Sequence, residues 1–291
     1  MSELVAAELM KFRTRWLPYV LLFIAMAGVS FQVWVGGYVT FQASQEFSSE
    51  QSALHTLSLP WSLPAMLDAG EYWGAILVGV LVASVVSTEF NWGTVRQPLI
   101  RGHSRAEYLT AKLLGLALAS AVGLLVALAV GLLMSVLATL AAGESVTLSA
   151  AGAPSVPEML LMVLRAGYCV LPYALLAFSV SVVTRSTAAG TVAVILYVFV
   201  ESAAIGILGA AGGHWADARA YLLGHNVAAL LAANHIGETS FNSLAFRAMH
   251  VPSELPSPFI GAFVVALYSI ALAGIAYWSF SRRDVRASEG S

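Results

Sequence analysis

Charge is what this sequence has least of. Only 10% of its 291 residues are Asp, Glu, Lys or Arg, while 59% are hydrophobic and the mean hydropathy is +0.81. An ordinary soluble domain carries about 25% charged residues. Such scarcity excludes a soluble globular chain and points to an integral membrane protein. In lipid, each backbone polar group has to be satisfied internally, and this composition favours helices over a barrel. There is one cysteine, Cys169, within an apolar run, which excludes an intrachain disulfide and a metal–thiolate site. No GxxxxGK[ST], HExxH, CxxC or GxSxG occurs, so the chain has no phosphate-cradling loop, zinc-protease helix or nucleophile elbow of its own. Lys and Arg are missing from Gly36 to Glu71, a stretch that holds Glu46, Glu50, Asp68 and Glu71. The net charge of -2 therefore averages two faces of opposite sign. No nucleic-acid partner is expected.

The apolar runs predict an all-α polytopic membrane protein: one transmembrane domain over residues 1–291, with spans at about 17–35, 72–87, 113–140, 157–184, 187–210 and 259–280. Residues 2–16 read as an amphipathic helix lying in the membrane interface. Leu4, Val5, Leu9, Phe12 and Trp16 fall at helical spacing, with Glu8, Lys11, Arg13 and Arg15 between them. A cleaved signal peptide ending near Ala25-Met26-Ala27 is the competing reading, but the apolar run continues past that point. Residues 211–258 form the longest outer segment. Eleven Lys and Arg fall on the side of the termini and two, Arg219 and Arg247, on the other. That asymmetry places both termini in the cytoplasm and the chain in the cell's inner (plasma) membrane.

Ser87 to Lys112, STEFNWGTVRQPLIRGHSRAEYLTAK, is the most polar and basic interior stretch. Ser104 followed by Glu107 is a capping box, so a helix should begin at Arg105 and run into the third span. Upstream, Glu89 to Ile100 reads as a short helix bounded by Pro98 and Gly102, which makes the segment a helical elbow rather than a plain linker. Its charges Glu89, Arg96, Arg101 and Arg105 are candidates for an exposed contact surface. The simpler reading is a solvated loop that only fixes topology.

Two ionisable residues fall within spans, Arg165 and Glu201. Each is costly in lipid, so each should face protein or water. Counted from the turn at Arg185, their heights differ by roughly 6 Å at the helical rise, which suggests a buried pair between spans four and five. Lining a transport path is the alternative. The six histidines include no pair at i,i+4, and a metal site among the four in the last outer segment is the weaker reading. Gly70 to Gly74 and Gly209 to Gly213 have small-xxx-small spacing at span edges and read as packing or turn glycines.

The elbow motifs Thr88-Glu89-Phe90, Gly93-Thr94-Val95-Arg96 and Arg101-Gly102-His103-Ser104-Arg105, followed by Lys112, resemble those of permease subunits of ABC-2-type ATP-binding-cassette exporters. Leu171-Pro172 and Val183-Thr184-Arg185-Ser186 are similar to the family's fourth span and its following turn. The resemblance implies a second permease chain (homo- or heterodimer) and a separate cytosolic ATPase subunit, bound through the elbow as a coupling helix. It implies that ATP and Mg bind that partner, that this chain holds no cofactor and catalyses no reaction, and that the outer segment before span six dips back into the membrane. An ion-coupled secondary transporter is the alternative function. An intramembrane enzyme is a third, and it lacks a recognisable nucleophile–base or metal set.

Overall fold

A computed structural model describes residues 2–39, 42, 58–68, 70–146, 154–234 and 255–282. The expected arginines at 283 and 286, half of the first outer loop and residues 235–254 of the last outer segment lie outside the described residues. Among the described residues there is no strand, and six helices are long and apolar enough to cross a membrane. The chain is a multi-pass helical membrane protein.

Helix α1 (Ser2–Thr14) precedes the first span, α2 (Leu17–Phe31), which a π-helical stretch over Gln32–Val39 extends. Pro18 sits in the first turn of α2, where a missing N–H costs nothing. A short helix α3 (Ser62–Asp68) follows, and a π-turn at Gly70–Gly74 leads into the second span, α4 (Ala75–Asn91). The elbow helix α5 covers only Arg96–Ile100. Glu89 thus belongs to the last turn of α4 and not to the elbow helix, a correction to the expected Glu89–Ile100 element. The reason is local: the apolar periodicity of span two carries the helix through Glu89, and Gly93, at φ +67°, provides the turn.

The third span, α6 (Arg105–Ala141), starts at the expected capping box. The Glu107 amide donates to Ser104 Oγ at 3.2 Å, and the Ser104 amide donates to Glu107 Oε2 at 2.8 Å. With 37 residues it is about 55 Å long, well beyond the ~30 Å of hydrocarbon, and its first turns are packed in the bundle through Tyr108, Leu109 and Lys112. A second capping box, Ser155 with Glu158, opens α7 (Val156–Thr184), which continues through Pro172. Arg185, at φ +56°, and Ser186 make a two-residue turn into α8 (Thr187–Ala211). The outer segment then folds as α9 (Gly213–Asp217), a 3₁₀ turn over Ala218–Tyr221 and α10 (Leu223–Ala232), and α11 (Pro258–Arg282) is the last span.

Spans α4 and α7 are the most buried, and α8, α11 and α10 pack around them. Val82, Val86, Ala177, Phe178, Val194 and Val265 form this core. Helices α2, α6, α8 and α11 turn Phe23, Leu125, Phe199 and Ile270 outward, as lipid-facing helices do. Polar contacts join the spans where apolar burial gives little drive between helices. Ser62 and Ser135 share a hydroxyl hydrogen bond of 2.9 Å, Thr110 and Tyr277 one of 2.7 Å, and Ser179 Oγ donates to Leu272 O at 2.6 Å. Contacts also fix which elements share one end. Lys11 reaches Glu89, Phe90 lies against Phe280 and under Arg185, and Arg105 meets the end of α11. Helix α1, the elbow, the Arg185 turn and the end of α11 therefore gather at the basic end of the bundle.

Candidate functional site

Three helices place four charges in a closed ring at that basic end. On α1, Glu8 and Lys11 are three residues apart and share a face. On α6, Tyr108 and Lys112 are four apart and turn toward α4, which contributes Glu89. Lys11 Nζ lies 2.6 Å from Glu8 Oε1 and 2.7 Å from Glu89 Oε1. Lys112 Nζ lies 2.8 Å from Glu89 Oε1 and 3.0 Å from Glu8 Oε2. Each ammonium therefore contacts both carboxylates, and the signs alternate around the ring. Tyr108 Oη donates to the remaining oxygen of Glu89 at 2.7 Å.

The Lys112 side chain is 1% exposed, Glu89 3% and Glu8 6%, whereas Lys11 is 37% exposed and forms the ring's one open edge. Burial lowers the Lys11 pKa, but hydrogen bonds from its ammonium to Glu8 and Glu89 outweigh that, and the net shift is upward. Gly115 admits α1 to this place: a Cβ there would sit 2.8 Å from Glu8 Cβ. A buried ion cluster is weak support for stability against an apolar replacement, yet losing one partner is expensive. Its clearest effect is to fix the register of α1, α4 and α6.

The expected exposed coupling charges separate into two pairs. Glu89 is inside the ring. Arg105 donates from Nη1 to Phe280 O at 3.1 Å and Ser281 O at 2.9 Å, a cation at the carbonyl end of α11. Arg96, half-buried, and Arg101, exposed, remain at the elbow surface beside Trp92 and Ile100, which are 71% and 83% exposed. Val95, fully buried, pins the elbow to the bundle, and hydrogen bonds from Thr94 N to Glu89 O and from His103 N to Pro98 O close its turns.

Helix α1 sets part of its polar face against the bundle. Its charged residues Glu8 and Lys11 face protein, while Leu9, Met10 and the following Trp16 are exposed. Phe12 packs on the core beside the ring, so the apolar positions of α1 divide between the protein and the surface.

Arg165 and Glu201 do not pair. Arg165 Nη1 donates to Ala233 O at 2.8 Å and Asn234 Oδ1 at 3.3 Å, just beyond the C-terminus of α10. Glu201 accepts from Tyr197 Oη at 3.0 Å, and its Oε2 lies 3.0 Å from the place a Cβ of Gly224 would occupy, in the first turn of α10. The carboxylate thus stands at the positive end of a buried helix and the guanidinium at its negative end, each where the helix dipole favours it. The two spans do carry complementary charges, but a ten-residue helix lies between them. That helix is buried from Leu223 to Leu231, so the outer segment packs back among the spans. Of the histidines, His225 is buried in α10 and His214 lies exposed 4.0 Å from Asp217. His235 and His250 lie outside the described residues. Among the described residues no three His, Cys, Asp or Glu gather as a metal site would require.

Six helices long and apolar enough to cross a membrane define a polytopic helical membrane protein. The chain belongs to the family described as "Protein of unknown function (DUF2705)", whose model matches residues 69–286, three quarters of the chain. The matched region includes Glu89, Tyr108, Lys112, Arg165 and Glu201, while Glu8 and Lys11 precede it. No curated protein and no solved structure matches.

Proposed function

We propose that this chain is the permease subunit of an ATP-driven exporter, working with a second permease chain and a separate cytosolic ATPase subunit that docks at the elbow. The observation that carries the reading is the elbow itself. Helix α5 is a short, hydrogen-bonded element anchored by Val95, and it displays Trp92, Ile100, Arg101 and part of Arg96 outward. An exposed aromatic, an aliphatic and a cation on a rigid support suit a protein contact better than a solvated loop. The elbow also sits directly between the ends of α4 and α6, so a push on α5 reaches both spans. The sequence has no nucleotide motif, which fits a division of labour between pump and motor. On the 11-to-2 distribution of Lys and Arg, the elbow and both termini face the cytoplasm of the inner membrane.

The alternative, an ion-coupled transporter, needs ionisable groups free to load and unload an ion. Arg165 and Glu201 instead serve the two ends of α10, which favours the ATP-driven reading. The test is whether a neighbouring reading frame encodes a P-loop ATPase and whether that subunit co-purifies with this chain. Arg96→Glu with Arg101→Glu is expected to leave the chain inserted and folded while abolishing capture of the ATPase. Unchanged capture and unchanged transport would show that the elbow only fixes topology.

A further inference from the structure

The ring of charge is built from two halves that are each complete. Glu8 and Lys11 pair at 2.6 Å within α1, so that pair travels with the helix. Glu89 and Lys112 pair at 2.8 Å between α4 and α6, and Tyr108 completes the Glu89 carboxylate at 2.7 Å. Of the ring's ion pairs, only Lys11 to Glu89, at 2.7 Å, and Lys112 to Glu8, at 3.0 Å, cross from α1 to the spans, beside the packing of Phe12 on the core. Lifting α1 away breaks those two contacts and leaves every charge with a partner. A ring whose halves carried net charge would resist opening, because isolated buried ions are costly; here one neutral pair parts from another.

Three further features favour separation at this seam. Helix α1 is a separate element, ended at Thr14 and divided from α2 by Arg15 and Trp16, with Pro18 in the next turn. The exposed edge of the ring, Lys11, belongs to α1. Glu8 enters the α6 surface only because residue 115 has no side chain.

We propose that α1 is a releasable latch, docked on the α4–α6 junction through the Glu8–Lys11 and Glu89–Lys112 pairs and able to leave it without unfolding either side. The linker residue Arg15 lies over the Trp92 ring, 5.7 Å from its centroid. Undocking is therefore felt at the elbow. The latch is a property of the chain alone and does not depend on the exporter reading.

The experiment is hydrogen exchange measured by mass spectrometry on the full chain in lipid nanodiscs, without any partner. Two variants open the latch by different routes: Glu8→Gln with Lys11→Gln removes the α1 pair, and Gly115→Leu blocks its seat while keeping all four charges. Both are expected to speed exchange of the α1 amides at least tenfold while residues 81–91 and 105–116 stay within twofold of wild type. Equal acceleration of α1 and the two spans would overturn the proposal, because the ring would then be one rigid unit. Unchanged α1 exchange in both variants overturns it as well. So does loss of folded protein in both, since a latch that has to stay shut is a structural member.

Discussion

Lys112 is the residue whose loss the ring tolerates least. Its ammonium is 1% exposed and is the only cation that bridges Glu8 and Glu89 from within the bundle. In Lys112→Met the linear side chain keeps most of the packing, but two carboxylates are left to share Lys11. If α1 moves off with its own pair, Glu89 retains only the Tyr108 hydroxyl. Removing one partner of a buried ion pair costs about 3–5 kcal/mol, which lowers the folding equilibrium by roughly two to three and a half orders of magnitude. Glu89→Gln is gentler: Glu8 still holds Lys112, and Lys11 is already 37% exposed and can turn to solvent. That variant should cost about 1–2 kcal/mol, the scale of an imperfectly satisfied buried group. The double variant removes one charge of each sign, leaves Glu8–Lys11 intact, and should recover most of the Lys112→Met loss. The assay is reversible unfolding in mixed micelles by SDS titration, followed by tryptophan fluorescence. A Lys112→Met protein within about 1 kcal/mol of wild type would refute the reasoning, and so would a double variant no more stable than the single.

Two further outcomes follow from the charges described. Arg165→Leu and Glu201→Gln should destabilise additively, because the groups stand at opposite ends of α10, roughly 13 Å apart at the helical rise; in the same unfolding assay, a coupling energy above about 0.5 kcal/mol would contradict that placement. The pH dependence of α1 docking has a sign set by Lys11, whose pKa in the folded chain is raised above 10.5. A raised pKa makes a stabilising contribution that is complete below the unfolded value and is lost as pH climbs through the folded one. The anisotropy of a dye on Met10→Cys should therefore stay level through neutral pH and fall only above about 10.5; a fall near pH 7 would assign the docking to another group.

Much of the fold was legible because the signals were local. Ser104 with Glu107 specified the start of α6, Arg185-Ser186 the turn between α7 and α8, and the apolar runs all six spans. What failed depended on which neighbour a charge would find. Glu89 read as part of a polar elbow because the residues after it are polar, yet one more turn of span two carries it inward. Glu8 and Lys11 read only as polar positions of an amphipathic helix and Lys112 only as the end of the basic elbow, because their meeting spans more than a hundred residues. Arg165 and Glu201 read as a pair because each is costly in lipid and the two are opposite in sign. Each instead meets an end of α10, which is only ten residues long, with Gly224, His225 and Asn226 among its polar or small positions, and its place between the two spans is not a local signal. The charged face of α1 was harder to place for a related reason: amphipathicity identifies two faces but cannot say that the polar one meets a polar surface of the chain itself.

The ring also sets an order of events during synthesis. Glu8 and Lys112 are 104 residues apart in the chain, and the ribosome adds about 5–20 residues per second. Helix α1 consequently waits roughly 5 to 20 seconds after emerging before its seat exists, since α6 has not yet been made. Throughout that wait its lysine and glutamate neutralise each other, and Leu9, Met10 and Trp16 give it an apolar side to rest on the bilayer surface. Helix α1 thus finds its place at the α4–α6 junction only after α6 is made, and it arrives already neutral.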